Sequence, residues 1–243
     1  MQLDILAFGV HPDDVELGCS GTLLVAIAEG KKTGIIDLTR GELGTRGTAD
    51  TRLIEAKAAA KILGVHHREN LEMADGFLQN DEAHQRKIIE VIRQFRPSII
   101  FANAPEDRHP DHGKSANLVA DSAFLAGLRK IETIDKAGNP QEAWRPSYVF
   151  HYIQDRFLEP NFIIDISKYI DIKMESILAY NTQFHNPSLN EPQTYISSPQ
   201  FLETLKGRDA MLGKRIGVEY GEGFITHKTL GISSLDAIIQ KTT

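Results

Sequence analysis

Short apolar runs rich in Ile, Val and Phe alternate along this chain with longer segments of helical periodicity. That alternation restricts the fold more than any other feature, because strands joined by crossover helices build a parallel sheet covered on both faces. Leu3 to Val10 reads as the first strand, and Leu17 to Gly30 as an apolar helix with Gly30 at its stop. Gly34 to Leu38 is the second strand. Arg52 to Leu63, Ala-rich and followed by Gly64, and Asp81 to Phe95, followed by Arg96 and Pro97, read as helices, with a weakly marked polar strand at Arg68 to Leu71 between them. Ser98 to Asn103 has the pattern of a buried strand, and His112 to Gly127 that of a helix, from the spacing of Leu118, Val119, Ala123 and Phe124. After a turn-rich insert at Asp135 to Pro140, Ser147 to Ile153 and Asn161 to Ile166 read as strands, and Ile170 to Tyr180 and Pro199 to Gly217 as helices. The prolines of Asn186 to Pro199 predict an irregular loop there. The expectation is a three-layer α/β domain, Rossmann-like in its first half, with a mostly parallel sheet. A chain of 243 residues without a repeat or linker suits one domain over residues 1–243.

Composition excludes several classes of function. A net charge of −6 opposes a surface that tracks phosphates, so nucleic acid is not expected as a partner. The opening MQLDILAFGV lacks the basic stretch and cleavage site of a secretory signal, and no run approaches the roughly 18 apolar residues of a membrane span. With Cys19 as the single cysteine, set among small and apolar neighbours, no intrachain disulfide forms and a buried structural thiol is expected. These features predict a soluble cytoplasmic protein that binds no membrane.

The first strand-to-helix turn, GVHPDDVELG, places a His, a Pro and two acids where a dinucleotide fold sets closely spaced glycines, which argues against a pyrophosphate ligand. Two tetrapeptides instead stand at strand-to-helix junctions: His11-Pro12-Asp13-Asp14, and His109-Pro110-Asp111-His112 beyond SIIFAN. In a doubly wound sheet these junctions meet at the topological switch point, where a crevice opens at the carboxyl ends of the strands. His11, Asp14 and His112 then supply two imidazoles and a carboxylate with a fourth position open, a set suited to catalytic zinc, with ferrous iron also compatible. Asp13 is placed to act as general base on a water. His109 is placed to stabilise an oxyanion, and Asp111 to hold the other nitrogen of His109. Helix capping is the competing account of Asp13 and Asp111. His66, His67, His84, His185 and His227 lack such companions, and His151 is left without an assignment. The glycine-rich stretch Thr39 to Asp50 is a candidate substrate lid.

At these residues the chain resembles the LmbE-like, or PIG-L, superfamily of zinc-dependent N-acetylglucosaminyl deacetylases, through HPDDVELG and HPDH. GELGTRGTADTRLIEAKAAAKILG, EDRHPDHGKSANLV, PNFIIDIS and GVEYGEGF extend the likeness, most closely toward the bacillithiol-pathway N-acetylglucosaminyl-malate deacetylases. The resemblance implies His11, Asp14 and His112 as zinc ligands, Asp13 as base and His109 as the electrophilic or acid residue. It also implies a small-molecule amino-sugar substrate and a homo-oligomer, with a hexamer as the suggested form. Arg52 and Arg108 match basic positions that face substrate in that branch, where a carboxylate-bearing aglycone would be read; a helix ion pair of Arg52 with Glu55 is the alternative. Other conjugates, of mycothiol type or diacetylchitobiose, are the competing substrates. A noncatalytic carbohydrate-binding domain with a structural metal is the competing class.

Overall fold

The computed structural model describes residues 1–186, 188 and 190–237. Part of the expected loop at 186–199 therefore lies outside the described residues. Seven strands form one sheet in the order β3-β2-β1-β4-β5-β7-β6. They are β1 (Ile5–Gly9), β2 (Thr33–Thr39), β3 (His67–Met73), β4 (Ile99–Ala102), β5 (Tyr148–Tyr152), β6 (Phe162–Asp165) and β7 (Gly221–Ile225). The helices are α1 (Asp14–Ala28), α2 (Ala49–Leu63), α3 (Glu82–Phe95), α4 (Pro110–Leu125), α5 (Ile170–Leu178) and α6 (Pro199–Ile216).

β1 pairs in parallel with β2 on one side and with β4 on the other, so the chain reverses its direction of winding between β1 and β4. β2 to β3 and β4 to β5 are also parallel, whereas β7 runs antiparallel to both β5 and β6. The α/β architecture with a mostly parallel sheet is as the sequence predicts. Alternation along β1 sends Leu6 and Phe8 into one core with Ile88 and Ile92 of α3 and Leu118 and Val119 of α4. Ile5 and Ala7 face the other way, into a second core with Val15, Cys19 and Leu23 of α1. Cys19 is fully buried there. A third cluster joins α2, α5 and α6 through Ala59, Ile177 and Leu205.

The sequence reading missed β7. Its segment GEGFI carries two glycines and a glutamate, a poor strand by propensity. The surroundings explain both residue types. A Cβ on Gly221 would lie 2.6 Å from Ile163 Cγ2, so the close approach of β6 demands glycine. Glu222 accepts hydrogen bonds from the Gly21 and Thr22 amides and from Thr22 Oγ1, and ion-pairs with the buried Lys173 of α5 at 2.7 Å. Lys173 also meets Asp209 of α6 at 2.6 Å, so one buried charge cluster ties α1, α5, α6 and β7 together. Three helix starts differ from expectation in the same direction, whereas α3 begins one residue later than expected and α5 and α6 begin where expected. α1, α2 and α4 each begin earlier, at Asp14, Ala49 and Pro110, because the polar residues at their N-termini are already helical.

Candidate metal centre and catalytic cluster

Both tetrapeptides lie at the carboxyl ends of β1 and β4, and the adjacency of those strands brings them together. The ring centroids of His11, His109 and His112 are 4.6–5.6 Å apart. The three imidazoles each offer a nitrogen within 4.8 Å of the others. Asp14, in the first turn of α1, reaches into the same point: its Oδ1 is 3.2 Å from His112 Nε2 and its Oδ2 is 3.7 Å from His11 Nδ1. The carboxylate is held from behind. Asn103 Nδ2 donates to Oδ2 at 2.9 Å and Gln154 Nε2 to Oδ1 at 3.1 Å, while the His11 amide donates to Oδ2 at 2.9 Å.

Each of two imidazoles has its far nitrogen on a further carboxylate. His11 Nε2 is 3.0 Å from Asp75 Oδ1, and His112 Nδ1 is 2.6 Å from Asp107 Oδ2. Asp75 and Asp107 are themselves anchored, Asp75 Oδ2 by the Leu43 amide and Asp107 Oδ1 by the amides of Asp155 and Arg156. This is the arrangement that fixes tautomer and ring orientation in metal-binding histidines. Burial alone would favour a neutral Asp14, but the His112 and His11 imidazoles hold its carboxyl far below the usual range. Burial likewise works against a charged His112, and Asp14 and Asp107 outweigh it and raise its pKa to about 10. A pocket with two buried carboxylates around an imidazole thus calls for positive charge at its centre. Two imidazoles and a carboxylate converging there fit a divalent transition metal.

Asp13 is buried beside this centre at a strained φ of 123°, and its side chain makes no capping hydrogen bond to α1. Helix capping therefore does not account for it. Instead Arg52 Nη2 lies 3.3 Å from Asp13 Oδ2 and donates to Gln183 Oε1 at 2.6 Å. Burial pushes the Asp13 carboxyl upward and the Arg52 guanidinium opposes it, with a net rise. Arg52 does not pair with Glu55, which accepts from the amide and hydroxyl of Thr182. His109 caps α4: its Nδ1 accepts the Asp111 amide hydrogen at 3.3 Å, so Nε2 carries the remaining proton. Burial, with His11 and His112 nearby, lowers the pKa of His109. The link from Asp111 to His109 thus runs through the backbone, and the Asp111 carboxylate accepts from Lys114 Nζ at 2.7 Å with its other oxygen buried and unpartnered. Arg108 stands at the mouth with its side chain 47% exposed, 4.5 Å over the Tyr195 ring and 3.7 Å from Asp155.

Around these groups opens a cavity of about 780 Å³, whose lining includes Asp13, Arg52 and Arg108 together with Gly44 and Thr45 of the glycine-rich stretch. That stretch is tethered: Arg46 is buried and its Nε donates to Thr182 O at 2.6 Å. His151 is buried with Nδ1 2.9 Å from Asn103 O, outside the cluster. Asp75, Asp107, Asn103 and Gln154 lie outside the two tetrapeptides. Asp107 lies within EDRHPDH, two residues before His109; Asp75, in the turn of MADGF, and Gln154 carry no local signal.

Residues 6–123 match the PIG-L family, described as GlcNAc-PI de-N-acetylase. A solved structure of a conserved protein from Thermus thermophilus is 37% identical, covers 96% of this chain and 98% of its own, and superposes with a TM-score of 0.83. The chain belongs to the PIG-L family. It is an enzyme of this deacetylase family. Diacetylchitobiose deacetylase of Thermococcus kodakarensis is 28% identical over 231 residues, covering 90% of this chain and 81% of that protein. The probable N-acetyl-alpha-D-glucosaminyl L-malate deacetylase 2 of Bacillus anthracis is more distant, 24% identical over 190 residues, covering 72% of this chain and 78% of that one. The superfamily expected from HPDDVELG and HPDH is therefore the right one, while the bacillithiol branch is not the nearer of these two relatives. Among the described residues no helix is long and apolar enough to cross a membrane.

Proposed function

We propose that this PIG-L family member removes the N-acetyl group from an N-acetylglucosamine conjugate, with His11, Asp14 and His112 holding a zinc or ferrous ion. One observation carries the reading: two imidazoles braced by Asp75 and Asp107 converge on Asp14, directly beside a buried carboxylate, Asp13, that braces neither. His109 is left out of the ligand set because its Nδ1 is engaged by the backbone of α4 and no carboxylate orients its ring toward the centre.

A metal bound there supplies a Lewis acid for the acetamide and lowers the pKa of a water. Asp13, raised by burial, accepts a proton from that water, and Arg52 fixes the direction of its carboxylate. His109 Nε2–H donates to the carbonyl oxygen as negative charge gathers on it. The water oxygen bonds to the carbonyl carbon, the carbon–nitrogen bond breaks, and the amine leaves with the proton Asp13 had accepted. Acetate and a free amino sugar result.

The malate conjugate is retained as the second reading for the aglycone, on the strength of Arg108 at the cavity mouth, whose planar fork suits a carboxylate. The experiment is acetate release from diacetylchitobiose, N-acetylglucosaminyl malate and N-acetylglucosamine, with and without chelator, by wild type and Asp13→Asn. Chelator-sensitive acetate release from at least one substrate is expected. Asp13→Asn should keep its metal and lose turnover by at least about a hundredfold. No acetate from any substrate by metal-loaded protein overturns the reading.

A further inference from the structure

The cavity has two unlike walls. Beside the polar cluster, one face of α6 contributes Phe201, Thr204, Leu205, Arg208 and Met211 to the lining at helical spacing. The apolar part of this wall is continuous with the third core. Leu205 is buried within that core, and Phe201, Ile196 and Leu17 are partly buried against it. Toward the mouth the wall ends in Met211 and Phe157, which also line the cavity and are 44% and 53% exposed.

Arg208, the cation on this face, does not make the wall polar. Its Nη1 donates to Gln154 O at 2.8 Å, its Nη2 to Leu17 O at 2.7 Å, and Nε and Nη2 both reach Asp209 Oδ1. Each of its three nitrogens bonds to the protein, and its charge is paired with Asp209. A small polyanion laid along this side would lose water and meet a cation already paired with Asp209, whereas a hydrocarbon would gain by covering it. The volume of about 780 Å³ lies in the upper part of the range for small-molecule sites, leaving room past one sugar.

We infer that the α6 wall is an aglycone subsite selecting an apolar group, so that the substrate is an N-acetylglucosaminide carrying an alkyl or aryl aglycone. The inference rests on the deacetylase reading for the placement of the sugar at the polar cluster. The wall shares one cavity with that cluster, which favours a substrate over a second copy of the chain as its occupant.

The test compares methyl, butyl and hexyl N-acetylglucosaminides of one anomeric series on the metal-loaded enzyme, by acetate release and by calorimetric binding. Met211→Gln and Phe157→Ser, at half-exposed positions that tolerate polar side chains, serve as variants. kcat/KM should rise with chain length, approaching roughly fourfold per methylene while the wall is being covered, with KM carrying the change. In both variants the hexyl-to-methyl ratio should fall at least threefold. Turnover of the methyl glycoside with no gain from chain length overturns the inference and leaves the deacetylase reading standing. Tighter binding of hexyl than methyl without acetate release supports the wall and removes the deacetylase reading. A wild-type oligomer that the variants dissociate, with no chain-length effect, overturns the inference by making the wall an interface between copies.

Discussion

His112 is gripped from both sides of its ring: Nε2 lies 3.2 Å from Asp14 Oδ1, while Nδ1 lies 2.6 Å from Asp107 Oδ2. The first contact points into the site and the second away from it, so Asp107 decides which nitrogen faces the centre. Asp75 does the same for His11, and through the Leu43 amide it ties that histidine to the glycine-rich stretch.

Asp107→Asn and Asp75→Asn should therefore each weaken metal binding by about 10–100-fold, the usual effect of removing an outer carboxylate. Asparagine keeps an oxygen for the amides of Asp155 and Arg156, or of Leu43, so the loops stay tethered. Competition with a colorimetric chelator measures the affinity. Wild-type affinity in both variants would show that these carboxylates do not orient the ligands.

The chemistry of this site was legible in the sequence only where it was contiguous. His11, Asp13, Asp14, His109 and His112 sit in two tetrapeptides at strand ends, so short-range spacing and the expected switch point sufficed to bring them together. Asp14's other partners are Asn103 and Gln154, 89 and 140 residues away, and nothing local marks either one. β7 escaped for the same reason. Its glycines answer the approach of β6 and its glutamate answers a lysine on α5, relations that exist only in the folded chain.

Arg52 was expected to read an aglycone carboxylate, yet its Nη2 lies against Asp13 and Gln183. Its loss should then damage the handling of the water, which every substrate shares. Arg52→Ala is expected to lower kcat/KM by about 1.5–3 kcal/mol, the scale of a hydrogen bond to a charged group, on malate and chitobiose substrates alike. Arg108→Ala should act on the malate conjugate selectively. Steady-state kinetics on both substrates decides the matter, and a malate-selective loss for Arg52→Ala would restore the carboxylate-reading role.

Lys173 meets Asp209 and Glu222 with all three side chains fully buried. Removing the cation leaves buried Glu222 with only its amide and hydroxyl donors from Gly21 and Thr22, while Asp209 keeps the Arg208 guanidinium at 3.0 Å. Lys173→Met should cost about 3–5 kcal/mol in urea unfolding, the typical effect of breaking a buried pair from one side. Adding Glu222→Gln should recover part of that loss by deleting the carboxylate left without a cation. A cost below about 1 kcal/mol would mean that the cluster is not what clamps α6, and with it the apolar wall, to the sheet.

Metal removal should lower stability without unfolding the chain, because the Asp14 carboxylate, the proposed ligand, is positioned by neutral donors as well as by imidazoles. Asn103 sits at the hub of that support. Its Nδ2 holds Asp14, its Oδ1 accepts from the Val10 amide and Ser115 Oγ, and its carbonyl oxygen meets buried His151. β1, α1, α4 and β5 are thereby locked around the site by contacts that need no ion, unlike a small metallo-domain that folds only when loaded. The ion contributes through mass action, about 2.7 kcal/mol when its free concentration is a hundred times the dissociation constant. Titrating chelator into the loaded protein should thus lower the melting temperature by about 5–11 °C, at roughly 2–4 °C per kcal/mol for a chain of this size, with far-ultraviolet dichroism unchanged at 25 °C. Asn103→Ala should reverse that independence, making the folded state conspicuously metal-dependent, since Asp14 would then rely on Gln154 and the ion. Loss of secondary structure when wild type is stripped of metal at 25 °C would show that the ion, rather than Asn103, holds the two strand ends together.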